Sequence, residues 1–281
     1  MSAIGTLYIV ATPIGNLEDI TLRAIRILKE ADVIAAEDTR HTQKLLAKYD
    51  IHTPLTSYHD HNKEDKAPVL VAQMLEGKSI ALVSDAGTPG ISDPGYFLIN
   101  LAVHEKIAVV PVPGATAAIS ALSISGLPTD SFVFEGFLPN RHAARVRKLE
   151  ELAKEKRTLV FYEAPHRVVQ SVEDMLHAFG DRKAVLTREL TKIHEEVIRG
   201  TLSEVLAHLK KGTIKGEFTI TVHGAVESPK QADIDPAAYL RDLMLHRGLS
   251  KKDAIAAAAK ELGLPKKDIY KESLKMGLSS E

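Results

Sequence analysis

The 281-residue sequence contains no cysteine. That absence excludes disulfide bridges, thiolate metal centres and a cysteine nucleophile, and it fits a reducing compartment. An excess of charge of one sign is also missing. Lys and Arg balance Asp and Glu to a formal net of −1, so any contact with nucleic acid must come from a local patch rather than a global field. No apolar run approaches the ~18 residues of a membrane span, and the strand-like Ile4 to Val10 has no basic stretch before it. Neither a membrane helix nor a leader is expected, and the location expected is cytoplasmic.

Three common site signatures are missing as well. No glycine loop supplies the Gly-Lys-Ser/Thr of a phosphate-binding P-loop. The first glycine-containing loop has Gly15 alone, where a dinucleotide fingerprint needs three spaced glycines. Gly90-Ile91-Ser92-Asp93-Pro94 is not a nucleophile elbow, because Pro94 stands where the closing glycine belongs. Nucleotide hydrolysis, NAD chemistry and serine hydrolysis all lose ground.

What is present reads as an ordinary globular chain, 44% hydrophobic and 26% charged, long enough for roughly two domains and an appendage. Short apolar runs predict strands at 7–10, 33–36, 80–83, 108–110, 132–134, 159–162, 184–186 and 218–222. Most are continuous rather than alternating, as strands buried on both faces should be. Helix-like stretches lie between them at 20–29, 39–48, 67–75, 115–123, 143–153, 168–179 and 203–209, which argues for a mainly parallel α/β architecture. Turn residues Ser125 to Asp130 suggest a hinge, giving lobes at 1–127 and 128–225. A Ser- and Pro-containing break at 226–236 reads as a linker, followed by a mildly basic helical segment at 237–281 with helices expected at 237–246, 250–261 and 266–276.

Unusual residues cluster after four strands. Ala11 to Asp19 carries Pro13, Gly15 and Asn16; Glu37-Asp38-Thr39-Arg40 follows the second strand; Pro111 to Ala118 follows the fourth. After the third comes Ser84-Asp-Ala-Gly-Thr-Pro-Gly-Ile-Ser-Asp-Pro-Gly95, longer than the ~2 to 6 residues that a plain α/β connection needs. Its glycines allow backbone to approach a ligand and its aspartates offer acceptors. A plainer reading makes Asp93 an N-cap with Pro94 at the first helical position. Four such loops on the edge where doubly wound sheets bind ligands favour a binding cleft.

The spelling of these loops, with Phe137-Leu-Pro139 and Phe161-Tyr-Glu-Ala-Pro-His-Arg167, resembles the ribosomal RNA small subunit methyltransferase I branch of the tetrapyrrole methylase superfamily, over about residues 4 to 225. The resemblance implies a two-lobed α/β fold with a mainly parallel first sheet, a mixed second sheet and a small helix-turn-helix-like C-terminal segment. It implies S-adenosylmethionine as cofactor, a homodimer, and methylation of a cytidine ribose 2′-hydroxyl in the decoding region of 16S ribosomal RNA within a small ribosomal subunit or its precursor. By the same matching, Pro13, Asp85, Gly87, Thr116, Ala117, Tyr162 and Glu163 contact the cofactor, joined by Glu217, Phe218 and Thr219. The first loop lacks the Gly-x-Gly-x-Gly-Asp run usual in the corrin and porphyrin methylases, which counts against a tetrapyrrole substrate.

Methyl transfer to a ribose hydroxyl would gain from a base, for which Glu37, Asp38, Asp85 and Glu163 are candidates; Asp38 equally suits a cap for the helix at Thr39. Arg40, Arg167, Arg188 and Lys192, each just past a strand-like run, are candidates for RNA phosphates. In Ser57 to Glu64, His59 and His61 would share one side of an extended strand without a third ligand, so no metal is expected. Tyr58 or His59 is instead a candidate for stacking on a base. Two rivals share the pattern: a methylase of a small molecule or tetrapyrrole, and a cofactor-binding ribosome assembly factor without catalysis.

Overall fold

A computed structural model describes residues 4–212, 214–226, 235–262 and 264–275. The chain divides into two compact units, Met1–Ala225 and Val226–Glu281.

The first unit opens with a parallel sheet. Strands β1 (Thr6–Val10), β2 (Val33–Ala36), β3 (Leu55–Ser57), β4 (Ile80–Val83) and β5 (Ala108–Val112) lie in the order β3-β2-β4-β1-β5. Their continuous apolar spelling has its cause in the layers on both sides. Val10, Ile34, Ala81 and Val83 pack with α1 (Leu22–Glu30) and α2 (Thr39–Lys48), while Leu7, Ile80 and Leu82 pack with α3 (Lys63–Leu75) and α4 (Tyr96–His104). Each helix starts where the sequence provides a cap or a break. Thr21 accepts from Ala24 N–H at 3.0 Å, and Ala24, Ile27 and Leu28 then form the buried stripe of α1.

The second sheet is mixed. Strands β6 (Phe132–Phe137), β7 (Thr158–Glu163), β8 (Lys183–Arg188), β9 (Glu196–Thr201) and β10 (Phe218–Val222) lie in the order β6-β7-β10-β8-β9, with only the β6–β7 pair parallel. One face packs Leu159, Phe161, Leu186 and Ile220 against α6 (His142–Leu152), α7 (Val168–Phe179) and α8 (Leu202–Leu209). The opposite face meets α5 (Ala117–Ser125), whose Ala118 and Leu122 sit on Val160. That helix follows the last strand of the first sheet yet covers the second, so it ties the two sheets together. Among the described residues no helix is long and apolar enough to cross a membrane.

Two strands and one helix were not expected from the sequence. β3 is three half-buried residues, and β9, at a sheet edge, is half-buried almost throughout with polar residues or glycine at most positions, so neither shows a continuous apolar run. α4 begins after Gly95 with no side-chain cap, so Asp93 and Pro94 do not start it. Gly95 is required by packing: a Cβ there would lie 2.9 Å from the backbone nitrogen of Gly90, where the long loop folds back on itself. The segment expected as a hinge, Ser125 to Asp130, overlaps the end of α5 by Ser125, and Gly126 is that helix's left-handed C-cap.

The second unit holds α9 (Pro236–Leu245), α10 (Lys251–Glu261) and α11 (Lys266–Lys275), packed through Leu240, Leu243, Ala254, Ala258 and Ile269. Asp235 and Ser250 cap the first two of these helices. Most of the expected linker, residues 227–234, lies outside the described residues.

A buried ion pair joins α6 to α7, with Arg145, 1% exposed, holding Asp174 at 2.7 Å. Removing the carboxylate leaves the guanidinium uncompensated in the core. Asp174→Ala is therefore expected to lower stability by about 3 to 5 kcal/mol, read by urea unfolding of both proteins; a loss under about 1 kcal/mol would show that water reaches Arg145.

Candidate active site

Parallel order brings the C-terminal ends of β2, β4, β1 and β5 side by side. Their loops are tied by backbone bonds. Thr12 N–H donates to Gly87 at 2.8 Å and Gly87 N–H returns to Thr12 at 3.1 Å. The Thr12 hydroxyl donates to the carbonyl of Ser84 at 3.2 Å, and the Asp85 carboxylate accepts from Asp38 N–H at 3.0 Å. The first, second and third loops are thus one piece.

The second sheet closes the other side. Tyr162 on β7 accepts from Ala118 N–H at 3.0 Å through its hydroxyl, fixing the start of α5. On β6 the ladder shifts register between Phe134 and Gly136, and Gly136 has φ +63. A Cβ on Gly136 would lie 2.8 Å from Ser92 Oγ, so a bulge lets the long loop reach the second sheet. Between the two sheets lies a cavity of about 370 Å³. Ile14, Ala117, Phe137, Leu190 and Phe218 give it apolar wall; Thr116, Tyr162, Thr187 and Thr219 give it hydroxyls.

Five carboxylates line it, Glu37, Asp85, Asp93, Glu163 and Glu217, in unlike environments. Glu163 is 2% exposed and its oxygens meet Ala164 N–H at 2.9 Å, Ser171 Oγ at 2.5 Å and the Arg167 guanidinium at 3.1 and 3.3 Å. Glu217 is open to solvent and pairs with Lys192 at 2.9 Å. Burial, then repulsion from Asp85, raises the Glu37 carboxyl above its ordinary value. Burial and the neighbouring Glu37 push Asp93 further, to about 7, against a lowering contribution from the Ser84 hydroxyl. Asp38 falls to about 2 because Arg40 bonds it from side chain and backbone.

Of the ten residues expected at the cofactor, nine line this cavity, Asp85, Gly87, Thr116, Ala117, Tyr162, Glu163, Glu217, Phe218 and Thr219. Pro13 does not: it is buried beside the cavity, and its neighbour Ile14 forms the wall. Glu37 lines the cavity as well. Asp38 is the cap of α2, its side chain accepting from Arg40 N–H at 2.8 Å.

The expected RNA contacts are scattered and mostly engaged. Arg167 bonds the Leu138 carbonyl, Asn140 and Glu163 beneath the cavity, so it does not offer a free guanidinium to phosphate. Arg188 pairs with Glu196, and Lys192 with Glu189 and Glu217. Arg40, 89% exposed, pairs with Asp38, whose side chain is 36% exposed. Tyr58 cannot stack on a base: it is 1% exposed and its hydroxyl accepts from Leu98 N–H at 3.1 Å. His59 and His61 lie beyond the end of β3, in a turn rather than an extended strand, with ring centroids 6.1 Å apart.

Sequence reasoning missed Asp93, Phe137 and Leu190 as cavity residues. Asp93 had a signal, a second aspartate in a loop too long for a connection, but the adjacent proline made a cap the simpler account.

A carboxyl raised by folding binds protons in the native state that the unfolded chain has released, so Asp93 costs stability increasingly as pH rises from about 4 to about 7. Asp93→Asn removes that cost. The variant is expected to be more stable than the parent by about 1 to 2 kcal/mol at pH 8, after discounting for solvent screening, with the gap closing toward pH 4. Parallel unfolding curves with a gap independent of pH would contradict the buried placement of this carboxyl.

Comparison with other proteins now bears on the cavity. The sequence pattern of the Tetrapyrrole (Corrin/Porphyrin) Methylases matches residues 6–206. The chain is 52% identical over 271 residues to ribosomal RNA small subunit methyltransferase I of Halalkalibacterium halodurans, covering 95% of this chain and 93% of that one. It is 45% identical over 274 residues to the protein of the same name from Bacillus subtilis, covering 96% and 94%. Among solved structures the fold is shared with a cobalt precorrin-4 methyltransferase, TM-score 0.61 at 21% identity, covering 78% of this chain and 94% of that one. It is also shared with uroporphyrin-III C-methyl transferase from Thermus thermophilus in complex with S-adenosylhomocysteine, TM-score 0.56 at 22% identity, covering 77% and 97%. The chain belongs to the tetrapyrrole methylase family and, within it, to the ribosomal RNA small subunit methyltransferase I enzymes.

Proposed function

We propose that the protein transfers the methyl group of S-adenosylmethionine to the ribose 2′-hydroxyl of a cytidine in the decoding region of 16S ribosomal RNA, presented by a small ribosomal subunit or its precursor. The observation that carries the reading is the coincidence of the inter-sheet cavity with the loops whose spelling marks this branch: nine of ten expected cofactor residues line it. Cytoplasmic location and a homodimer belong to the same reading and rest on family resemblance.

The lining fits the cofactor's chemistry. Apolar wall at Ile14, Leu190 and Phe218 suits a heterocycle, hydroxyls at Thr116 and Thr219 suit a ribose, and the carboxylates Glu37 and Asp85 suit a cationic end. When bound, the cofactor supplies an electrophilic methyl on a positively charged sulfur. The chain's part is to hold the acceptor oxygen in line with that methyl and to keep water away. Fixed orientation of this kind is worth on the order of 7 to 11 kcal/mol of barrier. Loops pinned by the Thr12–Gly87 exchange and by the Asp85–Asp38 bond provide the rigidity it needs.

Two measurements test this reading. Small subunits from a strain lacking the gene, incubated with the protein and methyl-labelled S-adenosylmethionine, are expected to carry label on a 2′-O-methylcytidine; label on a tetrapyrrole acceptor with none in RNA would favour the small-molecule rival. Asp85→Ala is expected to weaken S-adenosylmethionine binding by calorimetry about tenfold or more, since it loosens the second and third loops together and removes about 1.5 to 3 kcal/mol of charged hydrogen bonding. An unchanged affinity would put the cofactor elsewhere.

A further inference from the structure

We propose that Asp93 is the general base of the reaction, accepting the proton of the ribose 2′-hydroxyl as the new O–C bond forms. The inference rests on the reading of the cavity as a ribose methylation site.

Geometry removes three of the other four carboxylates of the cavity, and leaves Glu37 as the alternative that the test must separate from Asp93. Glu163 has both oxygens occupied, by Ala164 N–H, Ser171 and Arg167, and serves to hold β7 to α7. Asp85 is spent on the Asp38 amide, a bond that joins two loops. Glu217 is paired with Lys192 and 74% exposed, so water and a cation already attend it. Glu37 stands at the end of β2 and its strongest neighbours are on the first sheet's side, Asp85, Asp60 and His59.

Asp93 stands elsewhere. The groups that face it come from every wall of the cavity: Glu37 from the end of β2, Ser84 and Asp85 from the end of β4, Glu217 beside β10 and Tyr162 on β7. It lines the cavity between the two sheets, in company with Glu37, Asp85, Tyr162 and Glu217. No cation is among the groups that act on it. Its backbone is held: Ser92 before it takes φ +63, and Gly95 closes the loop against Gly90. A mobile carboxylate would lose much of its value as a base, and this one is fixed by its loop.

Its surroundings also set its strength. Half-buried and near other carboxylates, Asp93 is pushed up to about 7, so near neutrality a large fraction is ionised and that fraction binds a proton far more readily than an ordinary aspartate. The step balances without a further reactant. An oxygen lone pair forms the bond to the methyl carbon, the C–S pair withdraws to sulfur and turns the sulfonium into a neutral thioether, and the hydroxyl proton passes to Asp93. The positive charge lost by sulfur leaves as that proton, released to solvent before the next turnover.

The test is a single-turnover measurement of label transfer to small ribosomal subunits from pH 5.5 to 9, with Asp93→Asn, Asp93→Glu and Glu37→Gln beside the wild type, and calorimetric titration of each with S-adenosylmethionine. The wild-type rate is expected to rise with pH and level off above an apparent pKa of about 7. Asp93→Asn is expected to bind the cofactor within about threefold of wild type, lose about 10²- to 10⁴-fold in rate and lose the pH dependence, with part of both regained by Asp93→Glu. An Asp93→Asn enzyme within about fivefold of the wild-type rate, or one that keeps the pH profile, would overturn the assignment. So would a tenfold loss of cofactor affinity, which would make Asp93 a cofactor ligand. Loss of the pH profile in Glu37→Gln alone would move the base to Glu37. Wild-type protein that binds the cofactor but leaves RNA unlabelled would overturn the ribose methylation reading itself and this inference with it.

Discussion

A parallel sheet covered by helices on both faces can show polar groups to solvent only at the ends of its strands, and everything functional in this molecule follows from that restriction. β4 is buried along its whole length, so the residues that differ from a generic core begin at Ser84, the first position past it. The order β3-β2-β4-β1-β5 then gathers four such endings on one edge. Loops so close must satisfy their own backbone groups, and they do so by bonding to one another, through Thr12 with Gly87 and Asp85 with Asp38. The edge becomes a stiff wall rather than a set of independent turns.

The second sheet completes the site because α5 belongs to both halves. Ala121 of this helix clusters with Ile14 of the first loop and Leu190 beyond β8, while Ala118 and Leu122 lie on Val160. A helix that connects and covers in this way sets the separation of the two walls. Gly136 adds a second restraint, since the bulge on β6 leaves room for the loop at Ser92 and for nothing larger.

Much of this was legible in the sequence, for physical reasons. Strands buried on both faces write themselves as unbroken apolar runs, so 33–36 and 80–83 were read to the residue; 218–222, buried throughout with threonines between its apolar residues, was read to the residue as well. Thr39 to Lys48 and Val168 to Phe179 carry helical apolar spacing and were likewise read to the residue. β3 and β9 escaped because they are short or half exposed and their pairing is decided by neighbours far along the chain. The residues that line the cavity were legible from the spelling of the loops, whereas the availability of a charge was not. Arg167 and Glu163 stand in a highly specific motif, and only the fold shows that they neutralise each other. Asp93 shows the converse: nothing in Ser92-Asp93-Pro94 announces a half-buried carboxyl set among other carboxylates.

Stability and chemistry pull against each other at this edge. Carboxylates crowded into a cavity cost the fold something near neutrality, and a ligand with a cationic end would offset that cost. The central claim is that the ligand and these carboxylates share one enclosed space. Carboxyl-specific chemical labelling followed by mass spectrometry, with and without saturating S-adenosylhomocysteine, addresses it directly. Asp85 and Asp93 are expected to become protected together, at the ligand concentration that half-saturates binding, while Asp50 and Asp181 on the outer surface label unchanged. Saturated protein in which Asp85 and Asp93 label as in the free protein would place the ligand outside the inter-sheet cavity and contradict the account.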